Sequence, residues 1–156
     1  MAHRSHTKHR PTKEEFYPAT YASGGAKGAI GGFSGPDVDG TNEYGYVNCY
    51  LPKDFDSLEE IMLVFIATAT ATPMYVNIVA NYCKVGEAYT ANNENVSLSI
   101  NTVLNRMMEL NLCNVVDTTP LEAGDYLGVQ ASRLASLPTE NTDMILLGVR
   151  IKYKQQ

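Results

Sequence analysis

Residues 74–83, Met-Tyr-Val-Asn-Ile-Val-Ala-Asn-Tyr-Cys, alternate along their whole length. Met74, Val76, Ile78, Ala80 and Tyr82 fall on one face, and Tyr75, Asn77, Val79 and Asn81 on the other. That period of two belongs to an extended strand buried on one side. Gly86 turns the chain after it, and the Asn-rich stretch 92–95 turns it again.

The same pattern spreads in both directions. Upstream, residues 58–67 (LEEIMLVFIA) predict a long apolar strand, closed by the Ala-Thr repeat at 67–72 and Pro73. Before it, Tyr44, Tyr46 and Cys49–Leu51 predict a first strand, stopped by Pro52 and the polar run Lys53–Asp56. Downstream, 96–103 (VSLSINTV) alternates cleanly. Residues 104–116 read two ways. Leu104, Met107, Met108 and Leu110 suit a short helix, whereas Leu110, Leu112 and Val115–Val116 suit a strand. A strand from about 107 is the expectation.

Pro120 and Gly124-Asp125 mark a turn before 126–134, where Leu127, Val129 and Ala131 point inward. After a loop containing Pro138, the last strand covers 143–153 with Ile145, Leu147, Val149, Ile151 and Tyr153 on one face. Its other face carries Arg150 and Lys152 and meets solvent. Turn signals recur roughly every ten residues with no helix between them, which predicts a sandwich or barrel of hairpin-linked strands. The expected fold is all-β, an antiparallel jelly-roll-like β-sandwich over residues 41–156.

Composition agrees. Apolar residues make up 44% of the 156, which suits a globular chain, and Val, Ile, Thr and ten Tyr suit pleated surfaces. Cys49, Cys83 and Cys113 sit in apolar runs without metal-ligand spacing and read as small buried hydrophobes of a reducing compartment. No apolar run reaches the ~18–20 residues of a membrane span. The first residues lack a secretory leader's apolar stretch, so synthesis in a cytoplasm is expected.

Residues 1–40 read as a flexible arm. Arg4, Lys8, Arg10 and Lys13 carry its charge, with no acid before Glu14. The remaining eight basic residues stand against all seventeen acids, so a body of charge −9 follows a basic tail. Phe16, Tyr17, Tyr21, Ile30 and Phe33 lack strand or helix period, and six glycines lie between 24 and 35. Such a segment costs much entropy to order, which predicts attachment to a partner through these aromatic and basic residues. The basic residues read three ways: docked on an acidic neighbouring subunit, simply solvated, or, less favourably, on nucleic acid, since four charges are few for packaging.

Catalytic signals are weak. The glycines form neither G-x-G-x-x-G nor G-x-x-x-x-G-K-[ST], and no strand launches a βα unit. Ser34 in Gly32-Phe33-Ser34-Gly35-Pro36 is one residue out of register with a nucleophile elbow. All histidines (His3, His6, His9) fall in the arm and hold no base near it. Asp37, Asp39, Asn42 and Glu43 beside Gly40 form a weak Ca²⁺ candidate, without the length or distal Glu of an EF-hand loop. Glu59 and Glu60 should point to opposite faces and fail to converge. Asp125 and Asp143 read as turn caps or rim partners of Arg133. The expectation is a protein without catalysis or cofactor.

Leu51-Pro52-Lys53-Asp54-Phe55, Leu121-Glu122-Ala123-Gly124-Asp125 with Ser132-Arg133, and the closing Gly148-Val149-Arg150-Ile151-Lys152-Tyr153 carry a resemblance. Over about residues 45–153 the chain resembles jelly-roll virion proteins of tailed phages, including capsid decoration and fibre-like subunits. The resemblance implies a homotrimer or other homo-oligomer, contact with a major capsid or other virion protein, a place in the virion, and no catalysis. The rival expectation is a carbohydrate- or receptor-binding sandwich of a phage tail or fibre, in which exposed Tyr and Asn grip a glycan; the absence of Trp weakens it.

Overall fold

The computed structural model describes residues 10–22, 26–40, 43–117, 119–133 and 143–156. They form strands β1 (Thr12–Pro18), β2 (Thr20–Tyr21), β3 (Lys27–Ile30), β4 (Phe33–Val38), β5 (Tyr44–Tyr50) and β6 (Phe55–Ala67). Strands β7 (Ala71–Cys83), β8 (Asn92–Thr102), β9 (Met107–Asn111), β10 (Tyr126–Arg133) and β11 (Met144–Gln155) follow. One sheet has six strands in the order β3-β4-β11-β6-β9, with β1 also paired to β11; the other has five, β2-β5-β10-β7-β8. Every pairing is antiparallel.

From β4 to β11 the chain changes sheets at each step except the β7–β8 hairpin. That winding is the jelly roll. It confirms the expected fold and corrects the expected connections, because most neighbours in sequence lie in opposite sheets. The reason is burial: each strand has one apolar face, and crossing over brings successive faces against each other.

The core lies between the sheets. Val76, Ile78, Ala80 and Tyr82 of β7 and Leu127, Val129 and Ala131 of β10 face Ile61, Leu63 and Phe65 of β6 and Val149, Ile151 and Tyr153 of β11. Phe55 and Tyr153 meet with ring centroids 5.6 Å apart. Residues 107–111 are strand, and Leu112, Val115 and Val116 bury themselves in a turn closed by amides donating to the Leu112 carbonyl. The helical alternative for this stretch is excluded.

Bulges overturn two expectations of facing. In β11 the register slips between Leu146 and Gly148, leaving Leu147 unpaired. Met144 and Leu146 therefore join the core with Val149, Ile151 and Tyr153, while Ile145 and Leu147 face the other way. A second slip, between Lys152 and Tyr153, leaves Glu59 of β6 as the extra residue. Glu59 and Glu60 then converge on Lys152, at 3.9 and 3.5 Å from its Nζ.

The arm expectation is corrected from residue 12 onward. β1 pairs with β11 over seven residues, Thr12↔Lys154 to Pro18↔Gly148. β3 and β4 form a hairpin whose two-residue loop, Gly31-Gly32, holds Gly31 at φ +58°. Glycine at that first central position is what a type II′ turn needs. Gly28 and Gly35 serve contact, not freedom: a Cβ on Gly28 would strike the Ile145 side chain, and one on Gly35 the Leu146 carbonyl. A Gly-rich run reads as a linker from composition, yet here the missing Cβ lets two backbones approach.

Of the cysteines only Cys49 is buried, where loss of solvent pushes its thiol up to about 12. Cys83 and Cys113 are half-buried, which corrects their reading as fully buried; Cys113 still packs against the core.

Candidate functional site

Strand pairing sets four outward rows across the five-stranded sheet. Tyr50, Tyr126 and Cys83 make the first; Asn48, Gly128, Asn81 and Asn93 the second. Tyr46, Gln130, Val79 and Asn95 make the third, and Tyr44, Ser132, Asn77 and Ser97 the fourth. Tyr75 and Ser99 continue it. The opposite faces of the same strands are core, so alternation obliges these residues to face out. No Asp, Glu, Lys, Arg or His stands in any of these rows.

Tyr50 and Tyr126 sit side by side with ring centroids 5.1 Å apart at 49°, exposed to 37% and 50%. Tyr44 and Tyr46 follow at 6.4 Å centroid separation. Ser97 donates to the Asn77 side-chain oxygen at 3.3 Å. The rows are therefore uncharged and furnished with amides that both donate and accept.

The outer face of the six-stranded sheet is the opposite in character. Arg150 on β11 gathers Glu14 of β1, Glu60 of β6 and Glu109 of β9 at 3.3, 3.1 and 3.0 Å. Lys152 and Lys154 add pairs to Glu59 and Glu60. Beside this network lies an open groove of about 500 Å³ lined by Phe16, Phe33, Val64, Met107 and Leu147, with Glu109 and Arg150 at its edge.

These positions show what became of the residues expected to bind a partner. Phe16 and Phe33 remain exposed, to 52% and 50%, and share that groove. Tyr17 instead packs on the core, its hydroxyl within reach of the Tyr50 carbonyl at 2.7 Å and of Glu15. Tyr21 sits at the sheet edge opposite Gly45, and Ile30 closes the β3–β4 hairpin. Arg10 and Lys13 pair with Asp56 and Asp54 of this same chain. Arg4 and Lys8, like the three histidines, lie outside the described residues.

A side-chain hydrogen bond with Asp39, and after it the backbone amides of Asp39 and Gly40 that donate to Glu43 at 3.0 and 2.7 Å, hold the Glu43 carboxyl below the usual range. A proton shared with Glu43, together with partial burial and the nearby charges, pushes Asp39 up to about 6. Burial and the Glu43 and Asp143 charges raise Asp37 too. Asn42 lies outside the described residues, and among those described no group of three or more His, Cys, Asp or Glu could hold a metal ion. Asp125 caps its turn by accepting from the Glu122 amide at 2.7 Å, while Arg133 donates to the Asp39 carbonyl at 2.7 Å.

The sequence reading named exposed Tyr and Asn without saying which. The signal was present in 44–50 and 126–132, where every second residue is Tyr, Asn, Gly, Gln or Ser. Only pairing shows that they share one surface.

No family model matches the chain, and no curated protein matches it. Among solved structures it is similar to the CBM36-1 domain, a carbohydrate-binding module, of a multidomain xylanase from the hindgut metagenome of Trinervitermes trinervoides. The TM-score is 0.54 at 14% identity, covering 89% of this chain and 96% of that one. A second similarity, to an exo-beta-1,3-galactanase from Phanerochaete chrysosporium, has a TM-score of 0.36 at 15% identity, with 88% of this chain on 29% of that one. The first likeness concerns the fold, an antiparallel β-sandwich; the second is too low to carry an argument.

Proposed function

We propose that this chain is a non-catalytic carbohydrate-binding β-sandwich whose recognition surface is the outer face of its five-stranded sheet. The observation that carries this reading is the absence of charge from those rows of Tyr, Asn, Gln and Ser. A face that only meets water has no reason to avoid the Lys and Glu that crowd the other sheet. A sugar offers flat C–H faces and a ring of hydroxyls; tyrosine rings take the first and side-chain amides the second. The sandwich shared with a carbohydrate-binding module supports the reading at the level of architecture.

The rival is a homo-oligomeric virion subunit that would use the same face to contact its copies. No comparison favours it, and Arg10 and Lys13, expected to reach a partner, have partners in their own chain. Affinity electrophoresis of the full chain through gels containing neutral and anionic polysaccharides tests the proposal, with native mass measured alongside. Retention in at least one gel, weakened tenfold or more by Tyr126→Ala at unchanged melting temperature, is the expected result. A chain that ignores every polysaccharide and runs as a stable trimer would overturn it in favour of assembly.

A further inference from the structure

The same face says which carbohydrate, an inference that rests on the reading just given. We infer that the ligand is an uncharged polysaccharide, and that one of its sugar rings sits in a recess floored by Gly128 and walled by Tyr50 and Tyr126.

Gly128 is the outward residue of β10 one step along from Tyr126. It faces Asn48 on β5 and Asn81 on β7 in the same row. A Cβ built there would meet nothing nearer than the Asn81 carbonyl oxygen at 3.8 Å and the Asn48 Oδ1 at 3.9 Å. A Cβ would thus make only ordinary van der Waals contact, and the φ of Gly128 is not in the left-handed region, so neither sterics nor backbone requires glycine. A glycine in mid-strand weakens a sheet unless something must come close to it. Here a ring lying against the paired tyrosines would rest on the bare backbone, with Asn48 reaching its hydroxyls from one side and Asn81 from the other.

Charge selects the chemistry further. Among the described residues, the rows around Gly128 hold no cation to pair with a carboxylate or sulfate, and the protein carries a formal charge of −5. An anionic glycan would lose hydration with no ion pair in return and approach against a repelling field. A neutral glycan meets neither cost. Its binding should then be nearly independent of salt, unlike binding held by ion pairs.

The test uses the full chain, wild type and Gly128→Val, in affinity gels of a neutral glucan, a neutral galactomannan, a carboxymethylated glucan and a sulfated glycan, at low and high salt. Valine suits a strand, and its Cβ makes only ordinary contacts here, so Gly128→Val should fold, with the melting temperature measured beside the gels. The expected result is retention by a neutral polymer that changes less than twofold with salt and falls at least tenfold in Gly128→Val. Asn48→Ala, which leaves the backbone alone, should weaken it several-fold and covers the case in which the valine variant misfolds. Retention by anionic polymers alone, abolished by salt, would overturn the neutral assignment and leave carbohydrate binding standing. Neutral retention that survives both substitutions would overturn the recess. Retention by nothing would overturn both this inference and the reading beneath it.

Discussion

Gly35 of β4 lies so close to β11 that a Cβ added to it would meet the Leu146 carbonyl oxygen at 1.9 Å. Neither partner can yield cheaply, because both atoms belong to backbone. Gly35→Ala should therefore force the β3–β4 hairpin away from β11 and destabilise the fold by at least about 2 kcal/mol, at the upper part of the range for overpacking. Gly32→Ala, with nothing within 4 Å, is the control and should stay within about 0.5 kcal/mol. Denaturant melts of the two variants decide it; equal stability would mean that the close approach is not made.

Truncation separates the first strand from the residues before it. A chain that starts at Arg10 serves as the reference, since it keeps β1 whole. Removing 1–18 strips β1 from the edge of β11 and uncovers Tyr17's place on the core. Loss of that aromatic is worth about 1.5–3 kcal/mol, and each ladder hydrogen bond roughly 0.5–1.5 more. The longer deletion should cost more than about 3 kcal/mol and leave an aggregation-prone edge. A shortened chain that melted like the full one would show that β1 contributes nothing to the sandwich.

Tyr153 predicts how stability responds to alkali. Burial, and a hydrogen bond donated to Glu15 at 3.1 Å, push its phenol up to about 12. An unfolded tyrosine titrates near 10. The folded state thus holds its proton more tightly, so this contribution is complete below about pH 10 and is lost as pH rises toward 12. Denaturation midpoints should fall across that window. Glu15→Gln should bring the Tyr153 titration, followed by ultraviolet absorbance, to lower pH; an unmoved titration would show that Glu15 does not hold the phenol.

Much of the sandwich was legible because burial on one face writes itself into alternation. The inward residues of β7 and β10 could be named from 74–83 and 126–134 alone, and they are core. β11 was legible only in part. Its apolar residues announce a strand, but one unpaired residue at Leu147 inverts the facing of everything before it, and no local pattern marks a bulge. β1 was not legible at all, since Thr-Lys-Glu-Glu-Phe-Tyr-Pro buries little and alternates weakly. A strand held mainly by backbone hydrogen bonds to a neighbour leaves little trace in its own side chains.

The amino-acid sequence by itself determined the class of fold and most of its core, because solvent sorts apolar from polar side chains with a period the backbone imposes. It also determined that tyrosines and amides would stand exposed on strands without neighbouring charge. Which of them stand together, that Gly35 is a contact, and that Glu59 and Glu60 converge on Lys152 were decided by the tertiary structure. Those facts depend on register between strands far apart in the chain, and register is fixed only when the two sheets close on a common core.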